Sequence, residues 1–244
     1  MSKVIDFYAE WAPLMLGGVL NTLKLFFATF FLIVICSIIV GCARLSRSVT
    51  LRAVATAYVE FFRGVSSLVV MFWMYYALPF LGVSLSAWTV AVLSLVLVHS
   101  AFCSEYVRST VLAIPRSQHE AAQALSMNAY QRYRYVLLPQ ALAAMLPLFN
   151  NEIVFLLKGT SVASLVTIPE VTSVGYSIVT RTYQGTLVFG LILVIYFVLA
   201  QALTLIAREV EVYLTRWRSP HELVRAERRR LSIRSLLQRR VMQS

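Results

Sequence analysis

The sequence predicts an all-α protein that crosses a membrane five times. Apolar residues make up 59% of its 244 residues, against about 45–50% in soluble domains. The mean hydropathy is +0.74. These apolar residues are gathered into long runs separated by basic segments, and a helix needs roughly 20 apolar residues to span a bilayer. A polytopic membrane protein is therefore expected.

Five apolar runs account for the predicted spans. The first contains a single charge, Lys24, whose long side chain can reach the nearer surface. The second is rich in aromatic residues and ends at a turn marked by Gly82. The fourth is interrupted by polar residues at its centre. In chain order the predicted spans are Leu14–Gly41, Leu68–Val83, Trp88–Tyr106, Ala141–Val166 and Leu187–Ile206. A more polar connection over 168–184, with room for a short helix outside the hydrocarbon, precedes the last span.

Positive charges predict the orientation. The connection over 44–63, the loop over 108–134 and the segment from Arg208 carry four, four and ten Lys and Arg residues, which is 18 of the 22. Five spans place all three segments on one side, and the positive-inside rule makes that side the cytoplasm. We therefore expect a membrane domain over residues 1–215 with its N-terminus outside, and a basic cytoplasmic tail over 216–244 that contacts lipid or solvent.

The loop over 113–139 is the chain's main solvent-side element. Between Glu120 and Pro139 it carries charged and amide side chains that would be costly to place in hydrocarbon. Its first part is rich in alanine, a strong helix former. Positions i, i+3, i+4 and i+7 give one small, mostly apolar helix face that can dock into a groove: Ala121, Ala124, Leu125 and Asn128.

The sequence contains no motif of an enzyme. It has no GxxxxGK[ST] phosphate loop, and His99, His119 and His221 have no local acidic or cysteine cluster. The three cysteines have no metal-like spacing. We therefore predict no catalytic residue, no metal site, no cofactor and no nucleic-acid partner. An ATP-independent secondary transporter is the alternative function, although the inverted repeats common in such proteins are not apparent.

Glu120-Ala121-Ala122, the turn at Ser126 and the run up to Pro139 resemble the EAA loop of membrane subunits of ABC importers. A glycine usually stands where this chain has Ser126. Further segments resemble the importers of polar amino acids of the histidine and lysine/arginine/ornithine type, with Val65-Ser66-Ser67 and Gly159 departing from the usual T-P-L and Asp. The matching segments are Leu16 to Leu23, Tyr58 to Gly64, Ala101 to Pro115, Pro139 to Pro147 and Asn151 to Ser161.

The resemblance implies the type I ABC importer permease fold and a transport role. It implies ATP-driven uptake of a polar amino acid or a derivative such as an opine or a compatible solute. ATP and Mg would be bound by a cytoplasmic ABC ATPase dimer. The other implied partners are a periplasmic solute-binding protein and a second permease chain, with a heterodimer favoured over a homodimer. The location implied is the bacterial inner membrane.

Three groups of residues are the candidate functional sites. The ATPase-coupling group implied by the resemblance is Glu120, Ala121, Ala122, Ala124, Leu125, Ser126, Met127 and Asn128. Glu120 is expected in the first turn of the short helix, where a carboxylate suits the helix dipole. Glu105 and Arg108, three residues apart on a helix, are expected to form a structural pair.

The third group is the polar centre of the fourth span, with Asn150, Asn151, Glu152 and Lys158. An ionisable group at membrane depth indicates a functional site, here a translocation path in which a carboxylate attracts an ammonium group. Alternatively, Glu152 pairs with Lys158 or Arg63 and only holds helices together. The sequence leaves both interpretations open.

Overall fold

The structure is a computed structural model that describes residues 2–215, with side chains from residue 7. Every regular element in this range is helical, which confirms the all-α class. Short π and 3-10 segments over 73–81, 132–137 and 160–166 continue three of the helices. The helices are α1 (Ser2–Arg44), α2 (Val49–Gly64), α3 (Ser67–Phe72), α4 (Ala87–Leu112), α5 (Arg116–Ala124), α6 (Ala129–Gln131), α7 (Leu138–Gly159), α8 (Val171–Thr182) and α9 (Gly185–Thr215). The predicted tail over 216–244 lies outside the described residues.

Four stretches of the described chain are long and apolar enough to cross a membrane, and a fifth crossing is obtained when one bent pair counts as a span. They are Phe7–Arg44, Ala87–Leu112, Ala129–Val166 and Gly185–Thr215. Each contains one predicted span and extends beyond it at both ends or at one end. The additional turns contain both polar and apolar residues. A hydropathy criterion leaves such residues out of a predicted span, but they continue the helix.

The predicted second span, Leu68–Val83, corresponds to the second limb of the bent pair and is irregular. Residues Ser67–Leu81 form a short α-helix, a π turn and a 3-10 turn, and together they meet α2 at a bend of 99°. The supposed basic connection before it is itself a 16-residue helix, capped by the Ser48 hydroxyl. Tyr58 fixes α2 to α4 by hydrogen bonds of 2.8 Å to the Leu97 carbonyl and the Ser100 hydroxyl.

Helix α4 lies at the centre of the bundle. In its most apolar window 56% of the residues are buried, whereas the corresponding figure for α9 is 11%. The core around α4 combines side chains from α1, α3 and α7, including Leu25, Leu95 and Leu156. Helices α1 and α4 approach closely at Gly41, where an added Cβ would lie 2.7 Å from the Val107 Cβ. The glycine therefore permits this contact.

The segment over 168–184 contains the predicted short helix. Helix α8 begins after Glu170, whose carboxylate accepts hydrogen bonds of 2.9 and 2.8 Å from the backbone N–H groups of Thr172 and Ser173. Helix α1 holds the same corner, because Asn21 donates to the Pro169 carbonyl at 2.9 Å and the Val171 N–H donates to the Thr22 hydroxyl at 3.2 Å. This corner adjoins the end of the α7 segment opposite the central loop.

Candidate functional site

The helix of the central loop begins earlier than the sequence indicated. Helix α5 starts at Arg116, directly after Pro115, and ends at Ala124. Glu120 therefore lies in the second turn, and the expectation that its carboxylate meets the helix dipole in the first turn is wrong. The side chain of Glu120 is exposed. Because successive residues are rotated by about 100°, Glu120 lies almost opposite Ala122, the residue that faces the protein.

A left-handed residue ends α5. Ser126 has φ +55°, so it takes the conformation that glycine usually supplies at this position. The Met127 N–H donates to the Ala122 carbonyl at 3.1 Å and the Ser126 N–H donates to the Gln123 carbonyl at 2.9 Å. These two bonds form a Schellman motif. The sharp turn after the short helix is thus present with serine.

Asn128 belongs to the next helical turn and not to the face of α5. Its side chain accepts from the Gln131 N–H at 2.8 Å, and the Gln131 side chain accepts from the Asn128 N–H at 3.0 Å. This reciprocal capping box starts α6. The predicted four-residue docking face is therefore wrong at Asn128. The remaining three members are exposed, with Leu125 at 72%, and they lie on the helix or at its end: Ala121, Ala124 and Leu125.

A direct hydrogen bond joins α5 to the following span. Gln140 in α7 donates to the Gln118 side chain at 3.2 Å. Ala122, on the inner face of α5, is 3% exposed. Helix α5 is therefore held to the start of α7 by a specific polar contact.

The predicted pair of Glu105 and Arg108 is present and has a third member. Arg108 donates to the Glu105 carboxylate at 3.0 Å. Arg44, at the end of α1, forms an ion pair with the second carboxylate oxygen. The side chain of Arg44 is 8% exposed. Sequence reasoning missed Arg44 because 61 residues separate it from Glu105. Arg44 follows a long apolar run, and no acidic residue near it in the sequence indicated an ion pair.

The polar centre of the fourth predicted span is divided among three faces of α7. Glu152 is 3% exposed and turns towards α4, where its carboxylate pairs with Nδ1 of His99. Asn150 turns towards α9 and donates to the carboxylate of Glu211. Asn151 and Lys158 are exposed between these two faces. The structure therefore does not bring the four candidate residues together.

Neither of the partners suggested for Glu152 is correct. Lys158 is exposed, and the Arg63 guanidinium lies over the Phe102 ring, 5.6 Å from its centroid. His99 is the partner that sequence reasoning missed. The available signal was that His99 is an ionisable residue within the apolar third span. Its pairing with Glu152 could not be inferred, because the two residues are 53 positions apart and no acidic residue lies within one helical turn of His99.

The Glu170 corner is a second polar centre that the sequence did not single out. Glu170 is 0% exposed, and the Tyr196 hydroxyl of α9 donates to its carboxylate at 2.8 Å. Burial raises the pKa of the Glu170 carboxyl above its ordinary value, while hydrogen bonds from Thr172, Ser173 and Tyr196 partly oppose that rise. Residues of α1, α8 and α9 thus meet at one buried carboxyl group.

No group of three or more His, Cys, Asp or Glu residues in the described part of the chain could hold a metal ion. Polar contacts in the site are instead hydrogen bonds and ion pairs between helices.

Comparison with known proteins identifies the family. The family described as "Binding-protein-dependent transport system inner membrane component" matches residues 33–212. A probable amino-acid ABC transporter permease protein of Sinorhizobium fredii, y4tF, is 36% identical over 190 residues, which cover 75% of this chain and 80% of the relative. The nopaline transport system permease protein NocM of Agrobacterium fabrum is 31% identical over 227 residues, covering 89% and 92%.

A solved structure shares the architecture. The crystal structure of an amino acid ABC transporter with histidines superposes with a TM-score of 0.78 and 29% sequence identity, covering 83% of this chain and 95% of that chain. The fold is thus that of type I ABC importer permeases. Permeases of this family are multi-pass proteins of the inner membrane and are not themselves enzymes. The chain therefore belongs to the inner membrane components of binding-protein-dependent transport systems and is a permease subunit of an ABC importer.

Proposed function

We propose that this permease imports a polar amino acid or an amino-acid derivative, with opines and compatible solutes within its range. The relatives support this solute class, because y4tF is named as an amino-acid permease and NocM as a nopaline permease. Membership of the ABC importer family disfavours the ATP-independent alternative. The function is then to provide the path, while a partner ATPase supplies the energy.

The exposed face of α5 is the proposed contact with that ATPase. One observation carries the proposal: α5 presents small side chains outward at Ala121 and Ala124 and is joined to α7 by the Gln118–Gln140 hydrogen bond. Small side chains allow close approach of a helix to a cleft, and Glu120, beside them, offers a carboxylate to a cationic residue of the partner. The remaining members of the predicted coupling group shape the end of the helix: Ala122, Leu125, Ser126, Met127 and Asn128.

The partners follow from this arrangement. A cytoplasmic ABC ATPase dimer would bind ATP and Mg and contact the loop over 113–139. A periplasmic solute-binding protein would deliver the solute to the opposite side. A second permease chain would complete the path, and the resemblance favours a heterodimer. This assembly requires the N-terminus outside and residues 216–244 in the cytoplasm, in agreement with the distribution of Lys and Arg.

Among the candidate path residues, Asn151 and Lys158 have the exposure that a path requires. They lie on one stripe of α7, together with the exposed Phe155, because positions 151, 155 and 158 are four and three residues apart. Polar side chains on a span face protein or water and not lipid. Asn150 and Glu152 instead bind side chains of α9 and α4. We therefore place them behind this stripe, where they hold α7 to its neighbours.

Purification of the chain from native membranes tests the coupling proposal. The wild type should retain an ATPase subunit, identified by mass spectrometry, and Glu120→Arg should lose it. Glu60→Arg is the matched control, since it makes the same charge change at another exposed acid on the predicted cytoplasmic side. Loss of the ATPase from both variants, or from neither, would contradict a specific contact at α5; absence of any ATPase from the wild type would contradict the proposed function as a whole.

A further inference from the structure

The carboxylate of Glu152 is occupied inside the helix bundle. It is 3% exposed and pairs with His99 of α4. The carboxylate oxygen atoms are therefore turned towards α4 and away from the exposed surface of α7.

Gly159 provides the space for the His99 ring. A Cβ added at residue 159 would lie 3.2 Å from Nε2 of His99 and 3.5 Å from the Leu95 side chain. The ring thus fits between Glu152 and residue 159, which are two turns apart on the same face of α7, because residue 159 has no side chain. Gly159 therefore leaves room inside the bundle for the pairing of His99 with Glu152.

The exposed stripe of α7 has a different charge. Asn151, Phe155 and Lys158 lie along it, and Lys158 is its single charged residue. With Glu152 turned inward, the described part of this stripe carries an ammonium group and no carboxylate. A solute that passes along it meets an amide, an aromatic ring and a positive charge.

We propose that His99 is a positioning residue that holds Glu152 away from the path, so that the permease fits solutes whose side chains carry no positive charge. This inference rests on the proposed function and defines its substrate class more closely. The carboxylate that every amino acid carries is attracted by Lys158, whereas a cationic side chain finds no counter-charge on the stripe and is repelled by the same residue. Amino acids with neutral side chains, and derivatives that carry additional carboxylates, satisfy both conditions.

L-citrulline and L-arginine are the probes of choice, because their side chains are similar in size and shape but differ in charge. Equilibrium binding of each radiolabelled probe is measured to the permease in complex with its ATPase and second permease chain, in nanodiscs and without binding protein. The wild type should prefer citrulline by tenfold or more. His99→Phe keeps a ring at this position but removes the hydrogen-bonding partner of the Glu152 carboxylate, and should shift the citrulline-to-arginine ratio by at least tenfold towards arginine. The double variant His99→Phe with Glu152→Gln should restore the preference for citrulline.

The double variant distinguishes a positioning role of His99 from a purely structural one. If His99 only supported the fold, removing Glu152 as well would not restore the preference for citrulline. Preference of the wild type for arginine, or an unchanged ratio in His99→Phe, would overturn the inference. Binding of neither probe to any of the complexes would overturn the placement of the solute on this stripe. Each of these results is obtained on complexes that retain the ATPase, so it is distinct from failure of the proposed function, in which no ATPase is retained.

Discussion

Gln140 of α7 donates a hydrogen bond of 3.2 Å to Gln118 of α5, and thereby links the first helix of the central loop to a membrane span. The two residues lie 22 positions apart, on either side of the turn at Ser126. The contact closes the loop at its base and joins α5 directly to the start of α7.

Removing this link is expected to weaken coupling between ATP hydrolysis and transport. A neutral hydrogen bond contributes about 0.5–1.5 kcal/mol, so Gln140→Ala and Gln118→Ala should each raise the ATP hydrolysed per solute transported by a few-fold in proteoliposomes. The double variant should do no more than either single variant, because both remove the same bond. Additive effects, or equal loss from the control Gln123→Ala on the exposed side of α5, would show that this bond is not the link.

Ser126→Gly is expected to stabilise the protein. Ser126 has φ +55°, and a left-handed conformation costs a residue with a side chain about 1–2 kcal/mol. Part of that gain is offset because glycine is more flexible in the unfolded chain, which leaves a net increase of about 0.5–1 kcal/mol. Thermal unfolding in detergent should show a higher midpoint for Ser126→Gly and a lower one for Ser126→Val. A lower midpoint for the glycine variant would contradict the strain.

Gly41→Ala is expected to destabilise the contact between α1 and α4. The added methyl group would lie 2.7 Å from the Val107 Cβ, and overpacking of this kind costs about 1–3 kcal/mol. Gly190→Ala in α9 is the matched control, because nothing lies within 4 Å of the corresponding position and alanine favours the helix. The unfolding midpoint should fall for the first variant and stay unchanged or rise for the second. Equal unfolding midpoints for the two variants would indicate that α1 and α4 accommodate the added methyl group without cost.

Glu170 is expected to make the stability depend on pH. Burial raises the pKa of its carboxyl group, so the folded protein binds the proton more tightly than the unfolded chain does. This contribution to stability is complete below the ordinary pKa of glutamic acid and is lost as the pH rises through the raised pKa. The wild type should therefore lose stability relative to Glu170→Gln as the pH increases over that interval, when unfolding is followed in detergent.

Glu170→Ala serves as the control for the capping role of this residue. Because neither variant titrates at this position, loss of the bonds to the Thr172 and Ser173 N–H groups should make Glu170→Ala less stable than Glu170→Gln, whose amide oxygen can still accept, by about 0.5–2 kcal/mol at every pH. A pH dependence identical in the wild type and in Glu170→Gln would assign the titration to another group.

Hydropathy was sufficient to predict the helical class, the four unbroken spans and the helix in the central loop, because each depends on local composition. The Glu105–Arg108 pair was predictable for the same reason, since its members are one turn apart. The start of α5 was also within reach: Pro115 is a helix-start signal that was not used.

The contacts of Arg44, His99 and Asn150 could not be predicted, since each joins helices that are 50 or more residues apart in the chain. The bend at Val65 was missed because an aromatic, apolar run satisfies a hydropathy criterion whatever its helical geometry. The chain turns where Val65 takes an extended conformation between α2 and α3, and Tyr58 holds α2 against α4.

The bend between α2 and the limb Ser67–Leu81 has a consequence for the surrounding lipid. When that limb stands across the membrane, the 99° angle lays α2 nearly parallel to the membrane surface. The limb has 15 residues, about 22 Å of helix, against a hydrocarbon thickness of about 30 Å. Such a hydrophobic mismatch is relieved by local thinning of the bilayer. Lipids with shorter acyl chains should therefore gather along this side of the permease.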